Sequence, residues 1–214
     1  MRKKIGKIRS EPLLLLAIPV SLISLLMIFI LRPLIKVRIG LLHSDRIGHF
    51  TANTELYLCE RDVNQHSHNR PLDLFYFPRK PCNQQLARMW ERKLIILPWF
   101  LLRPLDLIIR SFSCLSFLSC GEARGGPVDI DNLLDKLPSH LEFTSEEEDR
   151  GKAGLSAIGI KGNSPFICLI VRDTAYLDSL YPGVDNHYHD YRDCDIQNFV
   201  LAAEVLADRG FYVI

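Results

Sequence analysis

A charged pair follows a strongly apolar segment near the carboxyl end of the chain. Residues 166–171 read FICLIV, and Arg172 and Asp173 come directly after them. Such a run is typical of a parallel strand covered on both faces, and open α/β sheets bind ligands beyond the carboxyl ends of their strands. A guanidinium there matches the oxygens of a phosphate or diphosphate. We expect Arg172 to bind such a group and Asp173 to orient it; the alternative is a structural Arg–Asp pair.

The loop that follows is dense in side chains that can do chemistry, and it permits three interpretations. Its members are His187, His189, Asp190, Tyr191, Arg192 and Asp193. The two histidines and a carboxylate could bind a metal, although no distant partner is evident. His189 or Asp190 could act as a general base towards an acceptor hydroxyl. Otherwise the loop is a polar cap in which tyrosines and Arg192 pack against each other.

A second candidate site is a turn between a strand and a helix in the first half of the chain. Val37–Leu42 is predicted to be a strand and His49–Glu60 a helix. The turn contributes Ser44, Asp45, Arg46 and Gly48. It could cradle an anion or substrate at the helix N-terminus, with Gly48 allowing close backbone approach and His49 as a further candidate base. The alternative is an ordinary connection, because no GxGxxG or P-loop pattern is present.

The elements that position these residues alternate between strands and helices. After the first strand and helix we predict a strand at 72–77, a helix at 83–93 and a strand or helix start at 94–97, which together favour a parallel, Rossmann-like α/β sheet. A short helix at 131–137 and an acidic helical stretch that stops at Gly159 follow. The last helix is capped by Asp193 or Asp195 and ends at Gly210, before a strand at 211–214. A chain that stops on a core strand is expected to be a fragment of a longer protein.

Two apolar segments are candidates for contact with a membrane. Pro12–Leu31 carries no charge and has the length of a bilayer-spanning helix, so we predict an uncleaved anchor after a basic leader. Leu94–Leu118 is interrupted by charges and by two prolines, which argues against a second spanning helix. Its aromatic residues and arginines could rest in the lipid interface. The alternative is a buried core helix with paired charges.

Composition excludes some classes of function. The formal net charge of +1 gives no general attraction to nucleic acid, so no nucleic-acid partner is predicted. The six cysteines form no CxxC pair, and most are expected to be buried small hydrophobes in a reducing compartment. The sequence thus predicts neither a metal site nor a cofactor.

The motifs R-D-x-A-Y, beginning at Arg172, and Y-H-D-Y-R, beginning at Tyr188, resemble those of a family of bacterial glycosyltransferases from surface-polysaccharide loci. The stretch RIGHFTANTELYL, beginning at Arg46, is also similar to that family. The resemblance implies a GT-B arrangement of two Rossmann-like domains, with the donor held mainly by the second. A more distant similarity to fucosyltransferases implies that Arg172 grips the donor diphosphate. It also implies that the 44–49 turn lies on the acceptor side.

These observations predict an anchor at 1–36, a Rossmann-like acceptor-side domain at 37–148 and an incomplete nucleotide-sugar-binding domain at 149–214. The predicted function is a membrane-associated glycosyltransferase that uses a nucleotide-sugar donor and a lipid-linked or polysaccharide acceptor. Its predicted location is the bacterial inner membrane, with the soluble part on the cytoplasmic face. The alternatives are a non-catalytic membrane protein of polysaccharide assembly and a metal-dependent hydrolase.

Overall fold

The computed structural model describes residues 12–64, 71–120, 129–162, 164–185 and 187–214, without the side chains of 12–18 and 187–189. The chain divides between Glu142 and Phe143 into two units, here called unit 1 and unit 2. Each contains helices and one small parallel sheet. The mixed α/β class predicted from the sequence is therefore confirmed.

Unit 1 is built on a three-stranded parallel sheet in the order β1-β2-β3. The strands are β1 (Val37–Leu41), β2 (Leu72–Tyr76) and β3 (Ile95–Ile96). Ser119 forms an isolated parallel bridge with Ile39 on the free edge of β1. The predicted alternation of strands and helices in this region is confirmed.

The helices of unit 1 follow the predicted spacing closely. A π-helical turn at His49–Asn53 leads into α2, and the Asn83 side chain accepts a hydrogen bond from the Leu86 amide at 2.9 Å to cap α3. The elements are α1 (Pro12–Leu31), α2 (Thr54–Val63), α3 (Gln84–Glu91), α4 (Trp99–Ser111), a 3₁₀ helix (Ser113–Leu118) and α5 (Leu133–Lys136).

The core of unit 1 covers both faces of its sheet. Phe75 of β2 belongs to a cluster with Phe50 and Trp90, whereas its neighbour Tyr76 belongs to a second cluster with Ile109. Successive residues of a strand point to opposite faces, so the two clusters lie on opposite sides of β2.

Helix α1 forms over the bounds for which the sequence predicts a membrane anchor. Within the described part of the chain, no helix is both long and apolar enough to cross a membrane. The described part of α1 packs on α4, and its Leu25 and Ile28 contact the cluster that contains Ile109.

Helix α4 combines a buried face with a buried charge. Leu102, Leu105 and Ile109 are at most 5% exposed, and Asp106 is 1% exposed. The interpretation of this region as a core helix with paired charges is borne out on that face. Its opposite face is exposed.

Unit 2 has a smaller sheet, in which β4 pairs in parallel with β5. Thr144 and Glu147 form a reciprocal capping box at the start of α6, and Gly210 has φ +89°, as predicted for a helix C-cap. The elements are α6 (Ser145–Ala157), β4 (Phe166–Ile167), α7 (Ala175–Leu180), 3₁₀ helices at His187–Arg192 and Ile196–Phe199, α8 (Val200–Asp208) and β5 (Tyr212–Val213).

Two predictions about burial are wrong. The strand predicted at 166–171 is regular only over two residues, although the Leu169 amide still donates to the Ile214 carbonyl at 2.6 Å. It is not covered on both faces, because Ile170 is 88% exposed. The cysteines are mostly not buried either. Cys59 is buried and Cys120 half-buried, while Cys82, Cys114, Cys168 and Cys194 are exposed.

Candidate functional site

The turn after β1, where the sequence places the acceptor-side residues, is held together by Ser44. Ser44 is fully buried, its Oγ donates to the Arg79 carbonyl at 3.2 Å, and its own carbonyl accepts from the Cys82 amide at 2.8 Å. These bonds join the segment after β1 to the segment after β2. Asp45 and Arg46 are half-buried and also have partners within the protein. Ser44 therefore shapes the edge of the sheet.

Gly48 lies at the start of the π-helical turn in ordinary helical conformation, with φ −63°. A Cβ added there would meet no atom within 4 Å. The chain itself therefore does not require glycine at this position, and the predicted close approach concerns only a ligand.

The π-helical turn places His49 beside a second histidine that the sequence interpretation did not single out. The rings of His43 and His49 lie 5.9 Å apart, and His49 Nδ1 is 3.4 Å from Asn53 Oδ1. Trp90 holds the turn in place, because its Nε1 donates to the Phe50 carbonyl at 2.9 Å. Such π-turns frequently occur at functional sites. Here the turn brings His43, His49 and Asn53 together.

A cavity of about 250 Å³ opens beside this histidine pair. Its lining includes His43, Asn53, Thr54 and Tyr57, and its floor includes Gly40. A Cβ on Gly40 would come within 2.8 Å of the Phe75 ring. The floor therefore requires the absence of a side chain at position 40.

Behind this cavity, Tyr57 belongs to a tightly paired cluster. Arg38 forms a bidentate pair with Asp73, with both N–O distances at 2.6 Å, and the Tyr57 hydroxyl donates to Asp73 Oδ2. Burial and the bond to Asp73 raise the pKa of Tyr57, and burial also raises the pKa of the nearby Cys120 thiol. The donor fork of Arg38 is occupied by Asp73, so this cluster is structural.

A larger cleft of about 510 Å³ lies beyond the carboxyl ends of β2 and β3. Arg79 and Lys80 line it from the loop after β2, and Trp99 lines it from the start of α4. Glu91 contributes the acidic side. The cleft therefore offers two cations and an aromatic ring at the edge where parallel sheets bind ligands.

An exposed apolar surface, here called the α1–α4 surface, adjoins that cleft through Trp99. Its members on α1 are Leu22, Ile23, Leu26 and Ile30, which are 52–64% exposed, and on α4 they are Trp99, Phe100, Leu101 and Leu107, which are 37–55% exposed. Arg103 lies 5.6 Å from the Trp99 ring and Arg32 lies 4.1 Å from the Phe117 ring.

Asp106 is the one acidic residue in the sequences of α1 and α4. It is buried, accepts from the Tyr76 hydroxyl at 2.7 Å and pairs with Arg110 Nε at 2.7 Å. Burial and that bond raise the pKa of Tyr76. The other charged residues within these two helices are basic: Arg103, which is half-buried, and Arg110, which is exposed.

In unit 2, Arg172 lies beyond the carboxyl end of β4, as predicted. Its partner is Asp193, with Nε 3.3 Å from Oδ1, and not Asp173. Asp173 instead accepts from the Ala175 amide at 3.1 Å, at the start of α7. The prediction that Asp173 orients Arg172 is therefore wrong, because the Asp173 carboxylate binds the first amide of α7 instead. The Arg172 carbonyl also accepts from the Cys194 amide at 3.0 Å.

The histidine-rich loop forms a 3₁₀ helix over His187–Arg192. Arg192 Nε donates to the Tyr191 hydroxyl at 2.8 Å, and the guanidinium lies 5.1 Å from the same ring. This bears out the interpretation of Tyr191 and Arg192 as residues that pack together. Asp190 accepts from the Asp193 amide through its carbonyl at 2.9 Å. The side chains of His187 and His189 lie outside the described residues, and so does any role for His189 as a base.

Comparison with protein-family models, with characterised proteins and with solved structures found no match for this chain. The residues that sequence reasoning missed are His43, Asn53, Arg79, Lys80 and Trp99 as parts of one sheet edge. The basic pair could have been predicted, because Arg79 and Lys80 lie between two prolines directly after a predicted strand. The same rule about carboxyl ends would have selected them.

Proposed function

We propose that the protein is a membrane-associated glycosyltransferase that transfers a sugar from a nucleotide-sugar donor to a lipid-linked or polysaccharide acceptor. The observation that carries this proposal is the cleft lined by Arg79, Lys80 and Trp99, which adjoins the α1–α4 surface. An acceptor that carries both an anionic group and a lipid tail would satisfy both features at once.

The chemistry of the cleft suits a phosphorylated lipid acceptor. Lys80 carries a compact charge and Arg79 a guanidinium, and both kinds of cation suit phosphate oxygens. The Trp99 ring offers an apolar face with a polar N–H. A cation pair at a sheet edge would hold the head group while the tail lies along α1 and α4.

The surroundings of the α1–α4 surface favour a lipid bilayer as its occupant. Apolar side chains with flanking arginines suit the interface between acyl chains and anionic head groups. The single acid of the two helices is buried against Arg110 and would not repel those head groups. We place this surface on the cytoplasmic face of the bacterial inner membrane.

Arg172 is the proposed ligand of the donor diphosphate. It lies at a strand's carboxyl end, and its 3.3 Å pair with Asp193 is longer than the bidentate pair of Arg38. The Arg172 guanidinium would stabilise the negative charge that develops on the leaving diphosphate. His49, half-buried beside His43, is the proposed base where the acceptor attacks through a sugar hydroxyl; a phosphate acceptor attacks through an oxygen that already carries charge. A GT-B arrangement of two Rossmann-like domains is part of this proposal.

Titration of the protein with uridine, guanosine and thymidine diphosphates tests the donor assignment. Arg172→Ala is expected to weaken binding at least about tenfold, since a charge-assisted contact contributes roughly 1.5–3 kcal/mol. Arg209→Ala, an exposed arginine of the same unit, is the matched control and should leave the affinity unchanged. Equal affinity for the wild type and Arg172→Ala would remove Arg172 from the site.

Flotation with anionic phosphatidylglycerol vesicles tests the membrane assignment. Replacing Trp99 and Phe100 with serine should abolish flotation, whereas Leu201→Ser, an exposed apolar residue of unit 2, should not. Nucleoside diphosphate release from a panel of nucleotide sugars, with a polyprenyl phosphate in the vesicles, tests the reaction itself. Binding without release by the wild type would favour the non-catalytic alternative.

The acceptor assignment is tested in the same assay. Lys80→Ala should raise the KM for polyprenyl phosphate, and the exposed Lys93→Ala should not. A KM unchanged by Lys80→Ala would overturn the acceptor site while leaving the donor assignment to its own test.

A further inference from the structure

A cluster of metal-ligand side chains lies in unit 1, on the face of α2 that meets residues 138–142. Glu55, Cys59 and His140 each present a ligand atom, and these atoms all lie within 4.8 Å of one another. Glu55 and Cys59 are four residues apart, so they share one face of the helix. His140 lies 85 residues after Glu55 in the sequence and contacts its carboxylate.

The hydrogen bonds of His140 give each ring nitrogen a distinct neighbour. Nδ1 lies 2.8 Å from Glu55 Oε1 and Nε2 lies 2.9 Å from Asp62 Oδ2. The His140 amide also donates to Glu55 Oε1 at 2.9 Å. A histidine that binds a metal through one nitrogen typically donates its other N–H to a carboxylate, which fixes the ring. Asp62 stands in that position.

The charge around the cluster favours a cation. Cys59 is 1% exposed, Glu55 belongs to the same cluster, and the Asp62 carboxylate lies 2.9 Å from His140 Nε2. Negative groups therefore converge on a buried sulfur. Glu55 and His140 are 17% and 14% exposed in their side chains, so the cluster has a route to solvent.

We propose that Glu55, Cys59 and His140 form a binding site for a divalent transition metal of the zinc class, with Asp62 as the carboxylate that orients His140. Zinc takes sulfur, imidazole nitrogen and carboxylate oxygen in a tetrahedron, and bond lengths of about 2.0–2.3 Å separate its ligands by roughly 3.3–3.6 Å. The cluster matches this donor set. Glu55 Oε1 and His140 Nδ1 would separate by about 0.5 Å to admit the ion.

Metal binding releases protons from Cys59 and His140. The Cys59 thiol loses its proton to become the sulfur ligand. The metal takes the place of the proton on His140 Nδ1, which ends the bond to Glu55, while Nε2 keeps its proton and its bond to Asp62. From the doubly protonated imidazole, two protons are released per ion, and water completes the four-coordinate shell.

This site is distinct from the metal-binding interpretation of the 187–189 loop. It is also distinct from the cleft lined by Arg79 and Lys80, so it stands whether or not the protein transfers sugars. No sequence motif indicates it, because its third ligand lies in a different segment and the spacing within α2 matches no standard zinc motif.

Titration of the metal-free protein with Co²⁺ and Zn²⁺ tests the site. We expect one ion per chain, a sulfur-to-cobalt charge-transfer band in the ultraviolet, and a rise in Tm with zinc. Cys59→Ser should abolish the charge-transfer band and weaken zinc binding at least about 100-fold. Asp62→Asn should weaken it about 10- to 100-fold. Circular dichroism of each variant confirms that it is folded.

Two matched controls separate this site from other ligands. Cys114→Ser removes an exposed thiol of the same unit, and a double replacement of His187 and His189 with glutamine removes the loop histidines. Neither should change the stoichiometry or the charge-transfer band. The proposal is overturned if wild-type protein binds no stoichiometric ion, or if the folded Cys59→Ser variant keeps the band. His140 would then have a structural role, joining the carboxylates of Glu55 and Asp62.

Discussion

The two units differ in how firmly they hold the residues that could do chemistry. In unit 1, Phe50 and Trp90 are fully buried and both faces of the sheet are covered. In unit 2, the strands are two residues long and Ile170 is 88% exposed. Site geometry in unit 1 is thus set by a packed core, and that in unit 2 by local hydrogen bonds.

The arginine pairs of the two units illustrate the same difference. Arg38 in unit 1 makes a bidentate pair with Asp73 at 2.6 Å, whereas Arg172 in unit 2 lies 3.3 Å from Asp193. A guanidinium whose N–H donors are paired with one carboxylate has few donors left for a ligand. An arginine held by a longer, single contact can exchange that contact for a diphosphate. The weaker pair is therefore the better candidate for function.

The largest effect that separates the units should come from their apolar residues. Trp90→Ala removes a fully buried indole and its hydrogen bond to Phe50, so the free energy of unfolding should fall by about 3–5 kcal/mol. Leu201→Ala in unit 2, at 72% exposure, should cost less than about 0.5 kcal/mol. Urea unfolding followed by circular dichroism measures both. Equal losses would remove the contrast between the units.

The fold of unit 1 was largely predictable because its signals are local. The start of a helix at Asn83 and the alternation of strands and helices depend on neighbouring residues, and so does the C-cap at Gly210 in unit 2. The burial of the strand after Ser164 was not predictable in the same way. An apolar composition indicates a preference for burial, but burial itself needs partner elements that the run of residues does not specify.

The candidate site was predictable only at the level of sheet edges. The rule about carboxyl ends selected Arg172 and the turn after β1, but it could not tell that Ser44 is buried or that Arg172 pairs with Asp193 rather than Asp173. Those partners depend on the paths of later loops. The cluster of Glu55, Cys59 and His140 was missed for the same reason.

The ion pairs offer the second comparison. Asp73→Asn removes the charge that Arg38 and Tyr57 share, which should cost about 1.5–3 kcal/mol in the free energy of unfolding. Asp193→Asn should cost less than about 1 kcal/mol, because its pair with Arg172 is longer and partly exposed. Thermal and urea unfolding of both variants provide the test. A larger loss for Asp193→Asn would contradict the assignment of Arg172 as the less committed arginine.

Glycine replacements should have opposite signs in the two units. Gly40→Ala would bring a Cβ within 2.8 Å of the Phe75 ring and 3.0 Å of the Cys120 Cβ, and such overpacking costs about 1–3 kcal/mol. Gly154→Ala, in the interior of α6 with no atom within 4 Å of the added Cβ, should stabilise by about 0.5–1 kcal/mol. Unfolding midpoints report both. Stabilisation by Gly40→Ala would show that the cavity floor is not tightly packed.

The smallest effect should appear only at alkaline pH and should arise in unit 1. Burial, followed by the bond to Asp73, raises the pKa of Tyr57 in the folded chain, while an unfolded tyrosine titrates near pH 10. Below that pH both states keep the proton, so the contribution of Tyr57 is intact. Above it the unfolded state loses its proton first, and the free energy of unfolding falls as pH rises.

This loss should reach about 1.4 kcal/mol at pH 11 for one tyrosine. Tyr57→Phe has no phenol to titrate, so its free energy of unfolding should fall by that much less than the wild type between pH 9 and pH 11. Urea unfolding at fixed pH values measures the difference, and lysines and other tyrosines cancel because both proteins carry them. Parallel curves for the two proteins would mean that Tyr57 ionises as readily in the folded chain as in the unfolded one. In that case the Arg38–Asp73–Tyr57 cluster would be open to solvent. The ion pairs would then no longer support the contrast between the tightly held unit 1 and the loosely held unit 2.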